Sequence, residues 1–186
     1  MLSNLSSLHV LDLAENQLNG SIPASFGDFK AMAQVENTNR YLFYGKYRGD
    51  YYEESLVVNL KGKPQIHTKF LFLVISIDVS GNQLSGDIPE EITNLAGLIA
   101  LDLSRNHISG HIPEGISKLK QLESLDLSSN KLTGPIPRSL SLLSFLGYLN
   151  LSNNDFTGRI PYTGQLTTFD APFLLEIQAS VVLLFL

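Results

Sequence analysis

A row of acidic side chains at one repeated position is the feature of this sequence most able to carry chemistry. One carboxylate or amide stands four residues before each of five similarly placed asparagines. Such carboxylates could bind a cation or act as an acid–base pair, but a pair of that kind needs environments that separate the two pKa values. Repetition gives near-identical environments, so we interpret the row as a structural ladder that supports strand geometry. Its members are Asp12, Asp78, Asp102, Asp126 and Asn150.

Other catalytic patterns are weak. His107 and His111 are four residues apart, which on a helix could face one metal ion, but HISGHIP is the turn and flank of a repeat. Serines are abundant, yet no G-x-S-x-G elbow and no P-loop occurs. The sequence has no cysteine, which excludes a cysteine nucleophile and thiolate zinc ligands within it. We predict that the chain is not an enzyme and uses no metal or cofactor.

The asparagines mark an internal repeat. Apolar residues stand eleven, eight, five and three positions before each asparagine, and an apolar residue, a glycine, an isoleucine and a proline follow it. The last four asparagines are 24 residues apart. These spacings are those of the leucine-rich repeat, L-x-x-L-x-L-x-x-N-x-L. The predicted asparagine ladder consists of Asn16, Asn82, Asn106, Asn130 and Asn154.

The repeat predicts a solenoid. L-x-L places two side chains on the inner side of one short strand, while the residue between them points to solvent. The asparagine turns the chain, and its amide can bond the backbone of neighbouring coils. We therefore expect an α/β leucine-rich-repeat solenoid with short parallel strands on the concave face and a mostly irregular or 3-10 convex side.

One coil is interrupted. Asn16 and Asn82 are 66 residues apart, an excess of 42 over one period. Phe29 and Met32 fill the first two apolar columns of the split coil, and the pattern resumes with Leu71 and Val74 in the same two columns. The predicted boundaries are repeats over 1–32, an insertion over 33–70, four repeats over 71–165 and an apolar tail over 166–186.

The insertion has the composition of an ordered segment. YLFYGKYRGDYYEES, residues 41–55, holds five of the seven tyrosines, unlike a disordered linker. ESLVVNLKGKPQIHTKF then predicts two strands around Lys61-Gly62-Lys63-Pro64, a hairpin. We expect this insertion to fold back on the solenoid.

The second half of each repeat, L-x-G-x-I-P, resembles the plant extracellular class of leucine-rich repeats over residues 1–32 and 71–165. With YYEESLVVNLKGK, SIDVSGNQLSGDIPEEITNL and SFLGYLNLSNNDFTGRIPYTGQLTTFDA, the chain resembles plant receptor-like proteins of the elicitor-receptor type. The resemblance implies a plasma-membrane immune receptor without a kinase, whose insertion contacts a protein or peptide elicitor or a co-receptor kinase. Its implied contact residues here are Tyr41, Tyr44, Tyr47, Arg48, Tyr51 and Tyr52, and on the concave face Arg105 and Tyr148 look like typical interface residues.

The chain departs from that pattern after Ala171. A cap with paired cysteines, an acidic segment and a membrane helix would follow in the family, whereas PFLLEIQASVVLLFL follows here. Its 14 residues 173–186 are shorter than the roughly 20 that a membrane helix needs. We expect a fragment of a longer single-pass protein, facing the extracellular side, with its membrane segment outside this chain. A secreted polygalacturonase-inhibitor-like protein and a truncated product without independent function are the alternatives.

Charge and sequons bear on the partners. The net charge is −5 and the 13 Lys and Arg are scattered, so a nucleic-acid partner is not expected. N-x-S/T triplets at Asn4, Asn19 and Asn150 are candidate glycosylation sites. Asn19 follows the ladder asparagine on a turn and is the most accessible by pattern, whereas Asn150 lies in a strand.

Overall fold

A computed structural model describes residues 5–35 and 74–169, and between them the backbone of four short strands. Each described coil contributes one short strand to a parallel five-stranded sheet with the order β1-β7-β9-β11-β13. The central residues of these strands are in register, with Leu11 opposite Ile77 and Leu101 opposite Leu125. The strands are β1 (Val10–Asp12), β7 (Ser76–Asp78), β9 (Ala100–Asp102), β11 (Ser124–Asp126) and β13 (Tyr148–Asn150).

The flank of the solenoid carries a second set of short strands, formed by the L-x-G-x-I-P half of each repeat. They pair in parallel as β10-β8-β2 and as β12-β14. Gly134 lies within this flank at φ 74°, a conformation that residues with a Cβ rarely adopt. The strands are β2 (Asn19–Gly20), β8 (Gln83–Asp87), β10 (His107–Ser109), β12 (Thr133–Pro135) and β14 (Asp155–Thr157).

The convex side is built from one 3-10 helix per coil, as the repeat predicts. The first four begin directly after the proline of I-P, whose carbonyl accepts the N–H of the residue three positions later and so closes the first turn. The helices are Ala24–Asp28, Glu90–Asn94, Glu114–Lys118, Arg138–Leu142 and Gly164–Thr168. The predicted fold class, a leucine-rich-repeat solenoid, is therefore confirmed.

The core is one continuous cluster that runs through the coils. The apolar columns of the repeat supply it, and many of its leucines have no exposed surface. Leu119, Leu122 and Leu125 are representative. Because each coil buries its leucines only against the coils beside it, the stability is shared along the stack.

The part of the interrupted coil that precedes the insertion packs into the core of the solenoid. Phe29 and Met32 are 0% exposed, and the carbonyl of Met32 accepts a hydrogen bond from the N–H of Gly97 in the next coil at 2.9 Å. Val74, with which the pattern resumes, is also buried, but it packs in a separate small cluster with Ala100 and not in the main core that Met32 joins. Leu71 lies outside the described residues.

The insertion contains two antiparallel strand pairs. β3 (Lys46–Tyr47) pairs with β4 (Asp50–Tyr51). β5 (Leu56–Leu60) pairs with β6 (Lys63–His67), which confirms the predicted hairpin, although Lys63 and Pro64 lie in the second strand and not in the turn. β1 and β7 pair directly on either side of the insertion, so the concave sheet continues across it.

The ladder asparagines join each coil to the one before it. In the central case, Asn106 Nδ2 donates to the carbonyl of Val79 in the previous coil at 3.0 Å and to its own Leu103 and Ser104 carbonyls at 3.2 and 3.1 Å. Its Oδ1 accepts the N–H of Leu84 at 3.0 Å. Asn82, Asn130 and Asn154 repeat this arrangement one coil apart.

The first ladder position makes fewer bonds. Asn16 is exposed, and its Nδ2 donates to the Leu13 and Ala14 carbonyls of its own coil at 3.1 and 2.8 Å. The four later asparagines each satisfy backbone groups of two coils, and these groups would otherwise be buried without partners.

We expect Asn106→Ala to lower the free energy of unfolding by about 3 kcal/mol, because it leaves several backbone groups unpaired at a buried position. Asn94→Ala is the matched control, since Asn94 is exposed, and it should change stability by less than about 0.5 kcal/mol. Urea denaturation followed by circular dichroism measures both. Equal effects of the two substitutions would contradict a clamping role for the ladder.

Candidate functional site on the concave face

The aspartate row shapes the end of each concave strand. Asp78, Asp102 and Asp126 lie in register on neighbouring strands. The Oδ1 atom of each accepts the N–H of the serine two residues later, at 2.9 to 3.0 Å. These bonds turn the chain out of the strand, as short Asp side chains commonly do.

The residue before each ladder asparagine has a left-handed backbone. Arg105 has φ 53° and Ser129 has φ 55°, a region that non-glycine residues seldom adopt. The aspartate bond on one side and the asparagine bonds on the other hold this conformation, which the sequence analysis did not anticipate. Gly81 stands at the same repeat position, and this glycine in the sequence could have predicted the left-handed conformation.

The aspartates do not share one environment, so the expectation of near-identical surroundings is wrong. Asp12 is exposed, while Asp78 is buried. Burial raises the pKa of Asp102 from 3.8 to about 6, helped by the charges of Asp78 and Asp126 and opposed by hydrogen bonds from Ser104. Position in the stack, and not residue type, causes this difference.

A pocket of about 310 Å³ lies on the concave face, and it brings Arg105 and Tyr148 together. Two aspartates, four serines and Asn150 supply the rest of its wall, which is therefore almost entirely polar. The lining residues are Asp102, Ser104, Arg105, Ser124, Asp126, Ser128, Ser129, Tyr148 and Asn150.

Asp126 is the centre of a hydrogen-bond network in this wall. Its Oδ2 accepts the Tyr148 hydroxyl at 3.0 Å and Asn150 Nδ2 at 3.2 Å, and its Oδ1 accepts the Ser128 hydroxyl at 2.6 Å. Burial, followed by the charge of Asp126 and the bond to it, raises the pKa of Tyr148 to about 12. The bond to Asp126 holds the Tyr148 side chain in one orientation. A side chain that is already ordered loses less conformational entropy when a partner binds.

Arg105 reaches across a coil to Glu15, with which it forms an ion pair. Gly81 lies between them, and a Cβ at that position would stand 2.7 Å from the Glu15 carboxylate. Both side chains are more than half exposed, so the pair contributes little to stability. Arg105 is thus oriented but accessible to a partner.

The insertion approaches this part of the concave face. Cα atoms of β5 lie within 8 Å of those of β9, the strand that ends in Asp102. Tyr47 and Tyr51 lie in β3 and β4, where only the backbone is described. The other predicted contact residues, Tyr41, Tyr44, Arg48 and Tyr52, lie outside the described residues.

The glycosylation candidates differ in accessibility. Asn19 is exposed in β2. Asn150 donates to Asp126, and its Oδ1 accepts the N–H and the hydroxyl of Ser152 at 3.2 and 2.8 Å. Both functional atoms of the Asn150 amide are therefore engaged. Asn4 lies outside the described residues.

The described part of the chain offers neither a metal site nor a membrane-spanning helix. His107 and His111 are exposed on the flank, and no group of three His, Asp or Glu side chains there is arranged to hold a metal ion. No helix within the same ranges has the length and apolarity needed to cross a membrane.

Comparison with known proteins agrees with this geometry. The Leucine Rich Repeat family matches residues 7–29, 74–95, 97–119, 121–143 and 145–165, more than half of the chain. The chain belongs to the leucine-rich-repeat family.

Relatives narrow the similarity to plant receptors. Receptor like protein 27 of Arabidopsis thaliana is 40% identical over 95 residues, which are 50% of this chain and 12% of that protein. The chain thus matches only about an eighth of that relative's length.

Solved structures give the same picture. A chain of the BIR3–SERK2 complex from Arabidopsis thaliana has a TM-score of 0.58 and 33% identity, over 88% of this chain and 64% of that one. The ectodomain of the Arabidopsis receptor kinase HAESA, solved with an IDA peptide hormone, has a TM-score of 0.51 and 29% identity, over 86% of this chain and 24% of that one.

We expect Asp102→Asn to stabilise the protein at pH 7.5 by about 2 kcal/mol and to have little effect near pH 4. The folded state binds the Asp102 proton more tightly than the unfolded state, because its pKa is raised from 3.8 to about 6. The wild-type protein therefore loses stability as pH rises from about 4 to about 6, and a neutral asparagine avoids that loss.

Denaturation of both proteins between pH 4 and 7.5 measures this difference. Asp12→Asn, at the exposed end of the row, is the control. A gain for Asp102→Asn of the same size at both pH values would contradict the assignment.

We expect Asn19→Gln to remove a glycan from the chain secreted by plant cells, whereas Asn150→Gln should leave the glycan pattern unchanged. Exposure of Asn19 and engagement of both Asn150 amide atoms are the physical reasons. Electrophoretic mobility before and after deglycosylation measures the outcome, and a glycan at Asn150 would contradict it.

Proposed function

We propose that this chain is a non-catalytic recognition module in the extracellular part of a plant receptor-like protein. Its insertion over 33–70 and the adjoining coils bind a protein or peptide elicitor, or the ectodomain of a co-receptor kinase. The observation that carries the proposal is the approach of β5 to β9, because it brings the insertion beside the strand that contributes Asp102 to the pocket.

The pocket supports binding through its chemistry. It presents a fixed tyrosine ring, an oriented arginine and several hydroxyl groups, and tyrosine and arginine are enriched at interface hot spots. The polar wall suits peptide backbone and side-chain amides better than a purely apolar ligand. An extracellular peptide or a protein loop is the ligand class that fits.

The hydrogen bonds in the pocket also favour binding over catalysis. Asp126 accepts bonds from Tyr148, Asn150 and Ser128, so both of its oxygens are engaged in holding neighbouring side chains. A fixed network of this kind holds contact residues in position.

The relatives support the location and the partner class. Receptor-like proteins are among them, and one structural neighbour is a receptor-kinase ectodomain with a peptide hormone. In this proposal the chain lies on the extracellular side of the plasma membrane as part of a longer protein. In this proposal signalling, as in plant defence, depends on a partner receptor kinase.

Replacing Tyr44, Tyr47 and Tyr51 together with alanine tests the insertion. Wild-type and variant chains are displayed on plant protoplasts, and binding of two labelled probes, the SERK2 ectodomain and a fractionated microbial elicitor extract, is measured by flow cytometry. We expect binding of the recognised probe to fall about tenfold or more, since aromatic contacts dominate interface energies.

Two further variants separate the alternatives. Phe145→Ala removes an aromatic side chain that is exposed outside the insertion and should leave binding unchanged. Binding that survives the triple substitution but is lost in Arg105→Ala/Tyr148→Ala would place the site in the concave pocket alone. Absence of binding by the wild-type chain to either probe would count against the proposed function.

A further inference from the structure

The last described coil departs from the spacing of the others. In four coils the 3-10 helix starts eight residues after the ladder asparagine, as with Asn130 and Arg138. From Asn154 to Gly164 the separation is ten residues. The two additional residues are Tyr162 and Thr163, which follow the I-P of this repeat.

The additional residues form tight turns. The N–H of Tyr162 donates to the carbonyl of Ile160 and that of Thr163 to the carbonyl of Pro161, both at 2.8 Å. The side chain of Tyr162 is 55% exposed. The chain therefore makes an additional bend before it enters the last helix.

A groove of about 730 Å³ lies beside this bend, between the flanks of the last two described coils. Ile136, Pro137, Ile160 and Pro161 give it an apolar floor. The proline rings add no N–H donors, so apolar groups can pack against them without leaving a buried donor unpaired.

Two arginines line the groove. Arg138 and Arg159 are exposed, and neither side chain makes an ion pair or hydrogen bond with another residue in 5–35 or 74–169. Glu114 is also present, with the Ser139 hydroxyl 3.5 Å away. In a chain of net charge −5, a groove with two unpaired cations and one carboxylate is locally positive.

We propose that this groove binds an extended segment of a partner protein that carries an acidic side chain next to an apolar one. The carboxylate pairs with Arg138 and Arg159, since guanidinium groups bind carboxylates through two parallel hydrogen bonds. The apolar side chain packs on the isoleucine and proline floor. Charge complementarity selects this occupant over a basic or uncharged segment.

The groove is a second surface and does not depend on the proposed function. It lies on the flank at the last two described coils, whereas the insertion approaches the concave face at β9. Loss of binding at one surface can therefore be distinguished from loss at the other. The triple tyrosine variant of the insertion should bind a groove ligand normally.

The test uses the full 186-residue chain and a pool of fluorescein-labelled ten-residue peptides that carry a Leu-Glu or Phe-Asp pair. Fluorescence anisotropy should show binding that weakens as salt is raised, because charged pairs at an exposed surface are screened. A matched pool with lysine in place of the acidic residue should not bind. Absence of binding by every acidic peptide, or equal binding by the lysine pool, would overturn the proposal.

Variants locate the binding. Arg138→Glu/Arg159→Glu should weaken peptide binding about tenfold or more. Lys131→Glu reverses the charge of an exposed cation outside the groove and should have a much smaller effect. Deletion of Tyr162 and Thr163 restores the spacing of the other coils and should also remove binding. Circular dichroism confirms that each variant is folded, and undiminished binding by the folded arginine variant contradicts the proposal.

Two results would assign the groove to another occupant. Self-association of the wild-type chain that the arginine variant abolishes would place a second copy in it. If the acidic peptides bind the Glu176→Ala variant but not the wild-type chain, the C-terminal residues of this chain occupy the groove. Either result replaces the proposed partner.

Discussion

The buried asparagine of each coil is the interaction on which the structure depends. Its amide donates to carbonyls of two coils and accepts an N–H from the earlier one. Backbone bonds also join the coils, but each of these asparagine side chains satisfies four backbone groups at a buried position and so helps to align the stack. The concave sheet, the flank strands and the leucine core all follow from that alignment.

The same alignment turns a repeated residue into different chemical environments. The aspartates make the same bond to the chain two residues later, yet Asp102 lies between two other carboxylates and Asp126 lies beside Tyr148. Burial, together with the charges of its two neighbours, raises the pKa of Asp102. A row that supports strand ends thereby also forms the polar wall of a pocket.

The insertion leaves the solenoid intact because the coil that it divides is completed in two parts. Met32 fills the core before the insertion begins, and β7 pairs with β1 after it ends. A long segment closed by well-packed ends costs little more entropy than a short one. The position at which the insertion divides the coil therefore explains why the solenoid tolerates it and why it approaches β9.

The sequence by itself determined the solenoid, the strand and ladder positions and the β5–β6 hairpin, because these arise from local patterns that repeat or alternate. It also marked Arg105 and Tyr148 as unusual in their columns. Only the tertiary structure decided that these two share one pocket, that Arg105 pairs with Glu15, and that Met32 joins the main core cluster while Val74 packs in a smaller one. Those outcomes depend on which side chains become neighbours after the coils stack across a long insertion. The spacing of residues along the sequence does not give the distances between side chains of different coils.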